Sequence, residues 1–173
     1  MMNKLYESRN SIVEYDGNGT IYKTLKQNLV PEDWLHYYNQ VRNNNPRYVD
    51  VYEVVDNNTL VMEYIDELDT LEHILKEPRH WHRIDKHFIV EALETFHQAF
   101  TDGLRVSKHQ GGEMYFLHTD LKIANLIVDK DMRVRIIDPN SYTWVPKMQW
   151  TEKYYMNQIN MAFCLQRYFY GNV

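Results

Sequence analysis

Residues 126–137, LIVDKDMRVRII, are two short β-rich runs separated by a polar turn at Lys130 and Asp131. That pattern closes into a β-hairpin. A hairpin brings its outer ends together, so whatever precedes the first run must lie beside whatever follows the second. Asn125 precedes it, Asp138 follows it, and Asp120 lies in the segment leading to Asn125. Two carboxylates and an amide oxygen around one point form a hard-oxygen site suited to Mg²⁺, which keeps waters and shares its ligands with phosphate. A carboxylate beside such a site can accept a hydroxyl proton. Lys122 can neutralise a migrating phosphoryl group. Asp and Asn also punctuate ordinary turns. The joint spacing, flanked by apolar strands, favours the chemical reading.

The rest of the chain predicts an α+β arrangement, sheet first and helices after. Residues 3–26 read as strands, with SIVEYD and TIYKTLK joined by Gly17-Asn18-Gly19, which tolerates positive φ and favours a tight hairpin. VPEDWLHYYNQVRN reads as a helix, with Pro31 and acids at its start and Leu35, Tyr38 and Val41 at helical spacing. YVDVYEVVD and TLVMEYI are two further strands joined at Asn57-Asn58. Composition shifts at Asp66–Asp69. A short helix follows over Thr70–Lys76 and a longer one from Ile84 to about Phe100, with Ile84, Phe88, Ala92 and Phe96 four apart. Residues 106–113 read as a polar loop and Thr151–Tyr170 as an amphipathic helix.

Several classes are disfavoured. A net charge of −5 with no basic run argues against a nucleic-acid binder and against a membrane patch. No signal-peptide core and no 18-residue apolar run is present. The single cysteine, Cys164, reads as a buried structural thiol. The expectation is a cytoplasmic protein. The 14 Tyr and 4 Trp read chiefly as core and boundary packing.

The stretch His118-Thr119-Asp120-Leu121-Lys122-Ile123-Ala124-Asn125 resembles the catalytic loop of protein kinases, and Asp138-Pro139-Asn140 stands where that family has Asp-Phe-Gly. The resemblance runs from about residue 5 to 140. It implies a two-lobe kinase-like domain, with a β-rich lobe over 1–65 and a reduced helical lobe over 66–173. It implies ATP and Mg²⁺ as cofactors. Asp120 would be the catalytic base and Lys122 the phosphoryl-side cation, with Asn125 and Asp138 as metal ligands. Lys23, in Ile21-Tyr22-Lys23, would hold the α and β phosphates. Met62 would be the gatekeeper, Glu63 to Ile65 would offer backbone groups to adenine, Asp69 would reach the ribose, and Ile127 would floor the base.

Four departures accompany the resemblance. No Gly-x-Gly-x-x-Gly is present, and Ser8-Arg9-Asn10 is the equivalent turn, with Ser8 and Asn10 as phosphate-side donors. The inserted helix offers no Glu for Lys23 beyond Glu32 at its start, with Trp34 or His36 nearer the expected place. Thr119 replaces the Arg that meets a phosphorylated activation loop. Only 35 residues follow Asp138, without Ala-Pro-Glu. The functional expectation is transfer of the γ-phosphoryl of Mg·ATP to a hydroxyl, first a protein Ser or Thr. The alternatives are a sugar or aminoglycoside-like alcohol, or a non-catalytic module that binds ATP or a partner.

Overall fold

In a computed structural model, residues 2–27, 29–150, 152 and 156 are described. Strands β1 (Asn3–Glu7), β2 (Ser11–Tyr15) and β3 (Thr20–Leu25) form consecutive antiparallel hairpins. The β2–β3 turn closes because the Asp16 carboxylate accepts the N–H groups of Asn18 at 2.7 Å and Thr20 at 3.0 Å. Gly17 (φ +83°) and Gly19 (φ +95°) take the left-handed conformations that such a turn needs. Along β3 the two-residue period buries Ile21, Lys23 and Leu25 on one face. That alternation turns the Lys23 ammonium inward.

β4 (Val51–Val55) and β5 (Thr59–Glu63) complete a five-stranded sheet of order β1-β2-β3-β5-β4. Their turn has Asp56 (φ +50°) and Asn57 (φ +55°) in the left-handed region, one residue earlier than Asn57-Asn58. Two successive positive-φ residues are what a tight hairpin with right-twisted strands requires. Helix α1 (Trp34–Arg42) buries Trp34, Tyr38 and Val41, with Leu35 only half-buried, and stops at Asn43 in a left-handed cap.

The chain then docks on the hairpin that the sequence predicts. β9 (Leu126–Asp129) and β10 (Val134–Ile136) pair in antiparallel register, and Tyr48 makes a parallel bridge to Ile136. Ile136 N–H donates to the Arg47 carbonyl at 2.6 Å, and Val49 N–H to the Ile136 carbonyl at 3.1 Å. On its other side β9 pairs with β6 (Glu67–Thr70), a strand where the sequence shows only a composition change. Thr70 caps α2 (Leu71–Lys76), its hydroxyl accepting His73 N–H at 3.2 Å. Asp85 caps α3 (Lys86–Leu104) through Phe88 N–H at 2.8 Å, so that helix starts two residues after Ile84 and continues past Phe100.

Residues 106–113 are a correction: they form most of a hairpin. β7 (Ser107–His109) pairs with β8 (Glu113–His118) around Gly111 (φ +65°) and Gly112 (φ +152°). β8 pairs in turn with β11 (Tyr142–Pro146), which the sequence reading does not anticipate. The result is an α+β fold, sheet-rich in its N-terminal part, with few helices. None of the described helices is long and apolar enough to cross a membrane. Thr151–Tyr170, with Cys164, lies almost wholly outside the described residues.

The core joins these pieces through phenols with satisfied hydroxyls. Tyr38 donates to the Val49 carbonyl at 2.8 Å, Tyr48 to the Asp102 carboxylate at 2.8 Å, and Tyr142 to the Ala99 carbonyl at 3.1 Å. Burial pushes the ionisation of all three upward, so each stays a neutral donor.

At Gly103 α3 packs closely against β8. A Cβ there would stand 2.6 Å from the Phe116 carbonyl oxygen and 2.8 Å from Leu117 Cδ2. Gly103→Ala should therefore destabilise the fold by about 1–3 kcal/mol through overpacking, despite alanine's better helix propensity. Urea unfolding measures it, and an unchanged midpoint would contradict this close approach.

Candidate functional site

One cleft of about 1550 Å³ lies between the five-stranded sheet and the β9–β10 hairpin. Lys23 enters it from the inward face of β3 and Asp138 from the end of β10. Their charges meet, Lys23 Nζ donating to Asp138 Oδ1. Asp138 has a left-handed backbone (φ +63°), and its other oxygen accepts the Ser141 hydroxyl at 2.5 Å. Burial, the largest influence on this carboxyl, pushes its pKa up. The charge of Lys23 and the hydrogen bonds from Lys23 and Ser141 outweigh burial and hold the pKa below its ordinary 3.8.

The hairpin's open end is closed by Ile137 N–H donating to the Asn125 carbonyl at 3.1 Å. The Asn125 side-chain amide donates to the Asp120 carbonyl at 2.7 Å and to its Oδ2 at 3.1 Å. Those two bonds orient the amide and leave its oxygen as the available acceptor. Lys122 Nζ donates to the same Asp120 oxygen at 2.8 Å. Thr119, in place of an arginine, gives both its N–H and its hydroxyl to the Ser141 carbonyl, each at 2.9 Å. The loop carrying Asp120 is thus pinned to the segment after Asp138.

His118 is buried against Tyr142, ring centroids 5.0 Å apart, with Nε2 3.3 Å from the Ile137 carbonyl. Burial lowers its pKa below 6.5, against the opposing influence of Asp138 and that carbonyl. The neutral tautomer with a proton on Nε2 satisfies this geometry, as assigned from the bonding pattern. His118 serves as a packing and hydrogen-bonding residue.

At the other end the cleft is apolar, lined by Val13, Ile21, Met62, Ile65 and Ile127. Glu63 N–H donates to the Asp50 carbonyl and Tyr64 N–H to the Gly19 carbonyl, both at 2.9 Å. Of the backbone N–H groups over Glu63–Ile65, those two are engaged within the fold. Tyr64 also stacks on Tyr15, centroids 4.3 Å apart.

Of the residues singled out in the sequence, Lys23, Asp120, Asn125, Asp138, Glu63, Ile65, Ile127, Ser8 and Asn10 all line this cleft. Lys122 and Asp69 are not among its lining residues. Asp69 is held by Thr70 N–H at 2.8 Å and by His73 Nδ1. The Ser8 hydroxyl accepts the N–H groups of Asn10 at 3.1 Å and Ser11 at 3.0 Å, so the turn engages those donors internally. The pairing of Lys23 with Glu32 is corrected: Lys23 meets Asp138. Trp34 is instead buried near the expected place, its indole N–H donating to the Tyr142 carbonyl at 3.0 Å. Ser141 went unnoticed, although a serine three residues after an aspartate is an ordinary turn signal.

No protein-family model matches the chain. Among curated proteins it is similar to NUAK family SNF1-like kinase 2 of Rattus norvegicus, 25% identical over 134 residues, 72% of this chain and 19% of that protein. NUAK family SNF1-like kinase 1 of Mus musculus and of Homo sapiens are each 21% identical over 133 residues, 72% of this chain and 18% of theirs. The chain spans less than a fifth of the length of these relatives. The similarity supports a distant protein-kinase-like relationship.

The depressed Asp138 carboxyl has a pH signature. Its contribution to stability is full above the ordinary value of 3.8 and is lost as pH falls through the lower folded value. The melting-temperature gap between wild type and Asp138→Asn should hold from about pH 7 to about pH 5 and shrink below 3.8. His118, depressed from 6.5, gives its own contribution in full above that value and loses it as pH falls below it, in both proteins. A gap equally wide at about pH 3 and pH 7 would contradict the ion pair.

Proposed function

We propose that the chain transfers the γ-phosphoryl group of ATP to a hydroxyl, the first candidate being a Ser or Thr of a protein. The reading rests on one observation above all: Lys23, Asp120, Asn125 and Asp138 line a single cleft, linked in pairs by hydrogen bonds. Residues 1–65 are then the nucleotide-side lobe and 66–173 a reduced second lobe of one domain.

The donor set suits Mg²⁺. Asp138 is kept ionised, and Asn125 has its amide nitrogen committed to Asp120, freeing its oxygen. These two residues would hold the ion, which supplies charge neutralisation for the phosphates. Among the described residues, no group of three or more His, Cys, Asp or Glu could hold a metal. A site that completes its shell with an amide, waters and phosphate needs no such cluster.

Lys23 would turn from Asp138 to hold the α and β phosphates, and the freed Asp138 carboxylate, with Asn125, would hold the ion. Ile127 and Met62 enclose the base. Asp120 orients the acceptor hydroxyl and takes its proton as the new O–P bond forms and the bond to ADP breaks. Lys122, beside Asp120, offsets charge on the transferring group.

A small-molecule alcohol is the second reading, and β11 favours it. Residues 142–146 are paired along their length with β8, so this segment after Asp138 is not free to receive a peptide. A module that binds nucleotide without transfer is the third, favoured by the engagement of both Asp138 oxygens within the fold.

Asp120→Ala separates these readings. Loss of a base that acts in the transition state should lower turnover about 10²- to 10⁴-fold while thermal stabilisation by Mg·ATP persists. Wild type that releases no ADP with any acceptor would favour the binding module, and full turnover in the variant would remove Asp120 from the chemistry. Lys23→Met should weaken Mg·ATP binding in a titration, since only its ammonium meets phosphate. Wild-type affinity in that variant would place the lysine outside the nucleotide site.

A further inference from the structure

Arg135 links the two sides of the apolar end of the cleft. It faces Ile127 across the β9–β10 ladder, and Ile127 lines the cleft floor. From there its guanidinium reaches Glu63 on β5, donating to Glu63 Oε1 and, at 3.1 Å, to the Tyr48 carbonyl. The same Glu63 oxygen accepts Asp50 N–H at 2.8 Å. The pair is well shielded, with side-chain exposures of 16% and 22%. A charge-assisted bond in such surroundings is short and directional, so it sets a separation as well as an attraction. Arg135 Nε is buried without a partner among the described residues. Its burial is therefore compensated through one terminal nitrogen, Nη2, which holds both Glu63 and Tyr48.

Glu63 and Ile127 flank the space assigned above to the base, and Arg135 shares no bond with Lys23, Asp120, Asn125 or Asp138. We propose that Arg135 is a positioning residue that fixes the width of a slot for a purine base, by holding Glu63 at a set distance from Ile127. The inference rests on the nucleotide-binding reading and adds the residue that shapes its base end. It separates the cleft into a phosphate end held by Lys23 and Asp138 and a base end held by Arg135.

Two ligands test that separation: Mg·ATP, and Mg·tripolyphosphate, which carries the phosphates without a base. Calorimetric titration of wild type, Arg135→Met and Glu63→Gln, with melting temperature as the check of folding, gives the readout. Arg135→Met should weaken Mg·ATP binding about tenfold, because Glu63 is released from its set position, and leave tripolyphosphate affinity unchanged. Glu63→Gln keeps an oxygen for Asp50 N–H and should shift ATP affinity in the same direction by less. It also carries the test if Arg135→Met does not fold. Folded variants with wild-type ATP affinity, or with equal losses for both ligands, overturn the positioning role. Wild type that binds tripolyphosphate as tightly as ATP overturns the base slot alone. Wild type that binds neither overturns the nucleotide reading together with this one.

Discussion

One backbone hydrogen bond, from Ile137 N–H to the Asn125 carbonyl, shuts the open end of the β9–β10 hairpin. The arrangement of polar groups in the cleft depends on it. It brings the residue that anchors Asp120 beside the segment that carries Asp138, with the whole hairpin lying between them in sequence. Asn125 then holds the Asp120 loop through its side chain, and Thr119 holds the same loop to Ser141. The polar residues are positioned by a short ladder and the bond at its outer end, on strands whose side chains, apart from Asp129 and Arg135, are buried and apolar.

The Lys23–Asp138 pair is better understood as a poised charge arrangement than as a staple. Removing two charges from water costs several kcal/mol, and their attraction offsets that only when geometry and extra hydrogen bonds are good. Here the extra bond is the Ser141 hydroxyl on Asp138. A pair near that balance can exchange partners at small net cost. A polyanion offered to the lysine and a cation offered to the carboxylate would each restore what the other loses.

Much of the fold was legible because its signals are local. Gly17 and Gly19 mark a turn by their conformational freedom, Thr70 caps a helix with its hydroxyl, and the alternation through Ile21, Lys23 and Leu25 shows which way the lysine faces. The convergence of Asn125 and Asp138 follows from hairpin register alone. What was missed is set by partners distant in sequence. β6 and β11 are strands of four and five residues whose pairing is decided by β9 and β8. The partner of Lys23 lies 115 residues away, beyond any spacing rule. Asp69 was within reach of such a rule, since His73 is four residues on and both flank a capped helix start.

The two sides of the cleft differ in how they can yield. At the back, Tyr48 is fully buried, bridges to Ile136, and anchors its hydroxyl on Asp102 in α3. Rotating the sheet away from the hairpin would break this buried joint as a unit. At the front, β1 is an edge strand exposed along its whole length, and its turn is held by the Ser8 hydroxyl and by Lys26 on the Ser8 carbonyl and Glu7. Backbone with few buried contacts opens at low free energy and on the fast timescale of loops. The cleft therefore opens most readily by fraying of one thin flap. The molecule breathes at its lip, while its spine stays shut.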